Sequence, residues 1–266
     1  MVPVQRFIRP PAATGRFYPG SADELAATVG RLLGAARPEP PPGELRALVA
    51  PHAGYVYSGA VAAAAFSLLP AHAGTLRVAL LGPSHFAPLR GAAMSSAVGW
   101  RTPLGTVPVD AELRAAAGAA GAFVDDEPHA RDHAVEVELP FLQQHVGEGL
   151  RVLPLAIGGD AEATAAVIAA LDRDALVVVS TDLSHYHDDA AARRLDRRTA
   201  EAVLALDPAA VGDADACGAY ALRGLLLHAR RAGWRCTQLD LRTSADATGD
   251  RDSVVGYGAF AFTGGV

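Results

Sequence analysis

Three histidines stand at matching places in the chain. His52 follows the apolar run Ala47-Leu48-Val49-Ala50-Pro51, His85 follows Val78-Ala79-Leu80-Leu81-Gly82-Pro83-Ser84, and His185 follows Leu176-Val177-Val178-Val179-Ser180-Thr181-Asp182-Leu183-Ser184. One such histidine would be an ordinary hydrogen-bonded residue. Three behind three buried strands predict a shared metal or catalytic site, because neutral imidazoles brought together bind transition metals or move protons. Asp182, three residues before His185, carries a carboxylate able to orient an imidazole through its second nitrogen, or to act as a turn or helix-cap acid. Cys217, in Asp215-Ala216-Cys217-Gly218 ahead of a helix, has two readings. It is a small buried hydrophobe, or a thiol whose ionised form the helix dipole favours, suited to bind a metal or act as a nucleophile. His133 and Glu136, spaced i, i+3, form either a supporting shell for the site or a surface pair. Cys236 reads as core, and His72, His129, His145, His187 and His228 have no comparable setting.

Several chemistries are excluded. The chain has no lysine, and all 23 cationic side chains are arginine. That removes a phosphate-binding loop lysine, a Schiff base and a lysine general base. Gly82-Pro83-Ser84-His85 begins like a nucleophile elbow, but Phe86 stands where the closing glycine belongs. Gly-rich dinucleotide and kinase loops are absent. A net charge of −6 and a pI near 5.8 give no basic footprint for nucleic acid or an anionic membrane. No uncharged run reaches spanning length, and residues 1–11 lack the apolar stretch of a signal peptide, so a cytoplasmic location is expected. Two cysteines in a reducing compartment argue against a disulfide.

The elements that must position these residues follow from periodicity. At 266 residues and 50% apolar content, one domain spanning 1–266 is expected. An irregular aromatic segment at 14–20 precedes an amphipathic helix that Ser21 or Asp23 caps, and the proline-rich stretch 37–43 connects it to the first core strand. Residues 100–109 read as an excursion over the sheet, followed by a helix from Asp110. A second helix is predicted to open at Asp132 and carry His133, Glu136 and Leu139, kinked or split by Pro140. Strand and helix alternate again at 151–157, 160–171, 188–206 and 219–231, with late strands at 236–241 and 254–262. The arginines of 188–206 interleave with acids and read as a salt-bridged face. The pattern implies an α/β domain with a layered, largely parallel or mixed central sheet flanked by helices, its site at the carboxyl edge of the strands.

Pro51-His52-Ala53-Gly54-Tyr55-Val56-Tyr57-Ser58-Gly59, Gly82-Pro83-Ser84-His85, Glu136-Val137-Glu138-Leu139-Pro140, Ser180-Thr181-Asp182-Leu183-Ser184-His185 and Cys217-Gly218, in that order, resemble the Memo family. Its bacterial and archaeal members are often called AmmeMemoRadiSam system protein B. The resemblance runs from Gly15-Arg16-Phe17-Tyr18-Pro19 to the C-terminus. It implies a fold similar to the class III extradiol dioxygenases, non-haem iron enzymes in which two histidines and a carboxylate hold the metal. It further implies His52, His85 and Cys217 as metal ligands, with His185 beside them as acid/base. Cys217 then replaces the carboxylate, and a thiolate softens the site toward copper or zinc. Ala134 stands where the family pattern usually has serine, which slightly weakens any hydrogen-bonding role for that turn. The resemblance implies a mononuclear transition metal, iron first, with copper or zinc next. Redox or oxygen-related chemistry on a small molecule is the leading expectation. A non-catalytic module that recognises a partner peptide in the metal cleft and a zinc hydrolase are the rivals. The family name also implies a pathway shared with radical-SAM and AMMECR-type proteins.

Overall fold

The computed structural model describes residues 7–69 and 74–265; His72 lies outside them. In chain order the elements are β1 (Ile8–Arg9), α1 (Ala22–Ala35), β2 (Glu44–Ala50), α2 (Tyr55–Phe66), β3 (Leu76–Pro83), β4 (Gly91–Met94), β5 (Gly99–Thr102), β6 (Gly105–Pro108), α3 (Ala111–Ala119) and β7 (Phe123–Val124). They continue with α4 (Glu127–Ala130), α5 (Leu139–Val146), β8 (Leu150–Gly158), α6 (Ala161–Leu171), β9 (Leu176–Ser180), β10 (His185–His187), α7 (Asp189–Leu204), α8 (Ala219–Ala232), β11 (Arg235–Thr243), α9 (Ala245–Thr248) and β12 (Val254–Gly264).

The sheet is mixed. Strands β2, β9, β3 and β8 are adjacent and parallel, as their unbroken apolar runs require when both faces are covered. On one side β12 joins β2 antiparallel and carries β11 and β10; on the other β4 joins β8 antiparallel and carries β7. The 100–109 excursion is the β5–β6 hairpin, which pairs with β1 as a small separate sheet. Alternate residues of each parallel strand face opposite layers. Leu48, Val78, Leu80 and Val178 pack with Leu25 of α1, Phe66 of α2 and Phe141 of α5. Ala47, Val49, Leu81 and Val179 pack with α3, α6, α7 and α8. No helix among the described residues is long and apolar enough to cross a membrane.

Caps set the helix starts. Ser21, Asp110, Asp160 and Asp188 each accept a backbone N–H in the first turn of the helix that follows. Helix α2 lacks a side-chain cap, and the carbonyl of Phe17 accepts the Tyr55 N–H instead. One expectation is corrected: no helix opens at Asp132. Residues 132–133 are irregular and 134–138 form a buried series of turns, and Pro140 sits in the first turn of α5, where its missing N–H costs nothing.

Helices α6 and α8 meet at Gly224, where an added Cβ would lie 2.5 Å from Thr164 Cγ2. Gly224→Ala is therefore expected to lower stability by about 1–3 kcal/mol, the usual cost of overpacking. Urea denaturation checks this, and an unchanged midpoint would show that the helices separate freely.

Candidate metal centre

Because β2, β9 and β3 are adjacent and parallel, their carboxyl ends share one edge. His52 lies just beyond β2 and His85 just beyond β3, each held by its short loop. Cys217 reaches the same edge from the loop ahead of α8, whose N-cap is Gly218. The ligand atoms of His52, His85 and Cys217 all lie within 4.8 Å of one another, and His52 Nε2 is 3.3 Å from Cys217 Sγ. His185 is placed differently. It opens β10, pairs with Val255 of β12, and lines the same cleft without belonging to that donor group.

Backbone contacts aim the donors. Asp182 Oδ1 accepts from the N–H groups of His52 and Ala53 at 2.9 and 3.3 Å. The Asp182 N–H donates to Cys217 Sγ at 3.2 Å, and the Cys217 N–H donates to the Asp182 carbonyl. Asp182 thus fastens two donor loops together, and its carboxylate does not orient the His185 ring as the three-residue spacing suggested. The His185 Nδ1–H donates to the Leu183 carbonyl at 2.7 Å, which turns Nε2 outward. Asp132 does for His85 what a carboxylate does for a ligating imidazole. Its Oδ2 accepts the His85 N–H at 2.7 Å and its Oδ1 faces His85 Nδ1 at 3.1 Å. Burial opposes ionisation of Asp132, yet hydrogen bonds and charge from His85 hold it down to about 2.

The charge states suit a ligand set. Burial first, then repulsion from His85, lowers His52 to about 3, so its imidazole is neutral at physiological pH. The thiol departs from expectation. Burial and the Asp182 carboxylate push Cys217 up to about 12, and burial alone pushes Cys236 to the same value. The free thiol of Cys217 is therefore not an activated nucleophile, and the helix start does not overcome its surroundings.

Behind His52 lies a polar chain. Its Nδ1 is 2.8 Å from Ser180 Oγ, which is 2.7 Å from Glu138 Oε1 and 2.8 Å from the Ala134 carbonyl. One hydroxyl hydrogen cannot serve both of those oxygens. Burial pushes the Glu138 carboxyl up to about 8, and its Oε2 has no partner among the described residues. A protonated Glu138 resolves the count: it and the His52 Nδ1–H both donate to Ser180, whose hydroxyl donates to Ala134. His52 is thereby fixed as the tautomer with its Nε2 lone pair directed at Cys217. The Ala134 contribution comes from its backbone, so alanine suffices there.

The segment 132–138 holds more of the site than its spacing alone discloses. His133 is part of the site: it stacks on Phe17 at 4.0 Å and on His85 at 4.9 Å, and with His85 and Asp132 it forms a second group able to hold a metal ion. Glu136 is fully buried, paired with Arg9, and accepts from Ala12 N, Ala13 N and Tyr18 Oη. Acids at 132, 136 and 138 interleaved with Ala134, Val135, Val137 and Leu139 were the available sign that these carboxyl groups turn inward. Gly82 makes room for the turn, since a Cβ there would lie 2.9 Å from Val135 Cγ1. His129, His145 and His228 are held elsewhere, by Ala93, Leu69 and Asp172.

The donors open into a cleft of about 570 Å³ walled by Phe17, His133, His185, Tyr57, Tyr186 and Tyr257. Exposed Tyr57, Phe86 and Tyr186 lie among the large hydrophobic side chains left on the surface.

Comparison with known proteins finds relatives along nearly the whole chain. A family profile described as Memo-like protein matches residues 9–261. A MEMO1 family protein of Methanopyrus kandleri is 34% identical over 284 residues, covering 97% of this chain and 99% of that protein. One from Methanosarcina acetivorans is 35% identical over 269 residues, with 95% and 98% covered. One from Nitrosopumilus maritimus is 30% identical over 277 residues, with 96% and 99% covered.

The raised Glu138 carboxyl has a pH signature. The unfolded chain releases this proton near the ordinary value of 4.5, the folded chain near 8, so between those values the wild type loses stability as pH rises. Glu138→Gln removes that loss. Its stability relative to wild type is expected to be flat below about pH 4.5 and to improve steadily toward pH 8. Metal-free protein titrated with urea at successive pH values checks it, and a gap independent of pH would mean that Glu138 is ionised in the fold.

Proposed function

Because the chain belongs to the Memo family, we propose that it is a mononuclear metal protein in which His52, His85 and Cys217 hold the ion and the adjoining cleft performs redox or oxygen-related chemistry on a small molecule. The observation that carries this reading is the donor set itself. A neutral imidazole of fixed tautomer faces a sulfur at 3.3 Å, with a second imidazole backed by a buried carboxylate. These residues fit a transition metal of intermediate softness, with iron first and copper second. Such a metal, when bound, supplies one-electron chemistry and Lewis acidity at the cleft floor.

The protein's own residues supply the rest. Asp182 and His185 both line the cleft; burial raises the Asp182 carboxyl, and Asp182 holds the loops of His52 and Cys217 through its Oδ1 and its N–H. His185, its Nδ1 engaged by Leu183, presents Nε2 to the cleft as proton donor or acceptor. Phe17 and His133, stacked, shield one wall from water. Kinship with the class III extradiol dioxygenase fold, a cytoplasmic location and a pathway link to radical-SAM and AMMECR-type proteins belong to the same proposal.

Elemental analysis after anaerobic purification tests the centre. His52→Ala, His85→Ala and Cys217→Ala should each lower metal content by more than about tenfold. Wild-type stoichiometry in any one removes that residue from the set. His185→Gln should keep the metal while oxygen uptake falls by about a hundredfold to ten-thousandfold. Loss of metal in that variant would make His185 a ligand and close the site. Full loading with zinc and turnover without oxygen would favour a hydrolase, and metal loading with no turnover a peptide-binding module.

A proton must leave Cys217 when it ligates, and its thiol is pushed up to about 12. Metal affinity is therefore expected to rise about tenfold per pH unit through neutrality. Competition titrations at several pH values check the slope, and a flat profile would show that sulfur is not a ligand.

A further inference from the structure

Tyr257 lies on β12 beside the donors, with a role assigned to it by neither the ligand set nor the acid/base pair. Its ring is packed into the core and only 2% exposed, yet the residue lines the cleft. Its phenol oxygen bonds to no group among the described residues, and it is not among the buried atoms cut off from solvent. The hydroxyl is therefore the part of the side chain that faces the cleft, a donor held in place with nothing of the protein to satisfy it. A fixed donor at a cleft wall that only water can satisfy is free to pair with a ligand oxygen that takes the water's place.

The surrounding charge narrows the ligand. This chain's cations are all arginine, and none of them lines the cleft. Arg16 and Arg131 stand over the rings of Phe17 and Phe86, 6.0 and 5.2 Å from their centroids, and Arg193, Arg197 and Arg242 line a separate groove between α7 and β11. Inside the cleft the acids are Asp182 and Asp250, beside the imidazoles of His85 and His185, the neutral imidazoles of His52 and His133, and the hydroxyls of Ser244, Thr248 and Ser253. A divalent ion, the Cys217 thiolate and the Asp182 carboxylate cancel one another, leaving no positive excess to hold an anionic group. Phe17 and Tyr57 offer flat apolar surface.

We infer that the cleft takes an uncharged ligand with a flat apolar body and a hydroxyl or carbonyl oxygen, and that Tyr257 Oη anchors this oxygen by donating a hydrogen bond. The inference rests on reading this cleft as the working site beside the metal. Burial keeps the phenol protonated, so it stays a donor at physiological pH. Asp182 and His185 line the same cleft, so the anchored oxygen shares it with them.

Calorimetric titration of metal-free and zinc-loaded protein with 2-naphthol and 2-naphthoate tests the inference, because the two probes share a ring system and differ in charge. On the metal-free protein 2-naphthol is expected to bind at least about tenfold more tightly than 2-naphthoate. Tyr257→Phe should weaken 2-naphthol by about tenfold, the loss of one hydrogen bond, while keeping its zinc content and melting temperature. Naphthoate binding as tightly as naphthol, naphthol binding unchanged in Tyr257→Phe, or no binding of either probe would overturn it. Failure of the metal reading shows separately, as absence of zinc from wild type, and leaves the metal-free comparison intact.

Discussion

The carboxylate of Glu136 is the contact on which the arrangement of the site depends. It is completely buried, and a buried charge persists only when its lone pairs are filled. Arg9, two successive backbone N–H groups and the Tyr18 phenol fill them, so the segment from Arg9 to Tyr18 is drawn down onto the 132–138 turn. That strap then delivers Phe17, whose ring covers His133 and whose carbonyl caps the first turn of α2. The segment preceding α2 carries His52. One ion pair therefore links the outermost strap, a helix start and a wall of the cleft, and removing either partner would leave a stranded charge rather than merely a missing bond.

The three acids of the same turn show how environment divides identical chemistry. Asp132 is kept ionised by the donors it receives from the His85 loop. Glu136 is matched to a guanidinium. Glu138, with only Ser180 in reach, is pushed toward the neutral acid. The first aligns one imidazole, the second fastens the strap, and the third fixes the tautomer of the other imidazole. Replacing any of these acids by its amide changes how many hydrogens are present, and each local network is built around that number.

The sheet was legible because its parallel strands are buried on both faces and read as plain apolar runs, and because α3, α6 and α7 carry Asp caps. The positions of His52 and His85 followed from those strand ends. What escaped was decided by contacts distant in sequence. Nothing local in Asp132-His133-Ala134-Val135-Glu136 distinguishes a helix turn from a series of tight turns; Gly82, about fifty residues away, makes the latter fit. Asp182 was read through its neighbour His185, whereas its partners are the backbone of His52 and the sulfur of Cys217. Cys217 was read through the helix it precedes, whereas burial and a carboxylate dominate its titration. Tyr257, in a strand of ordinary appearance, acquires meaning only once the cleft exists.

The donors His52 and Cys217 are 165 residues apart in sequence, and they meet only after β2 and β9 have paired and the loop before α8 has docked against Thr181 and Asp182. Such long-range closure comes late in assembly, since the entropy of a large loop must be overcome before its contacts repay it. A nascent chain still lacking α8 has no centre to fill, and a chain that has misassembled its sheet has none either. On the proposed reading, occupancy by metal would double as a record that β2 and β9 have paired and the loop before α8 has docked.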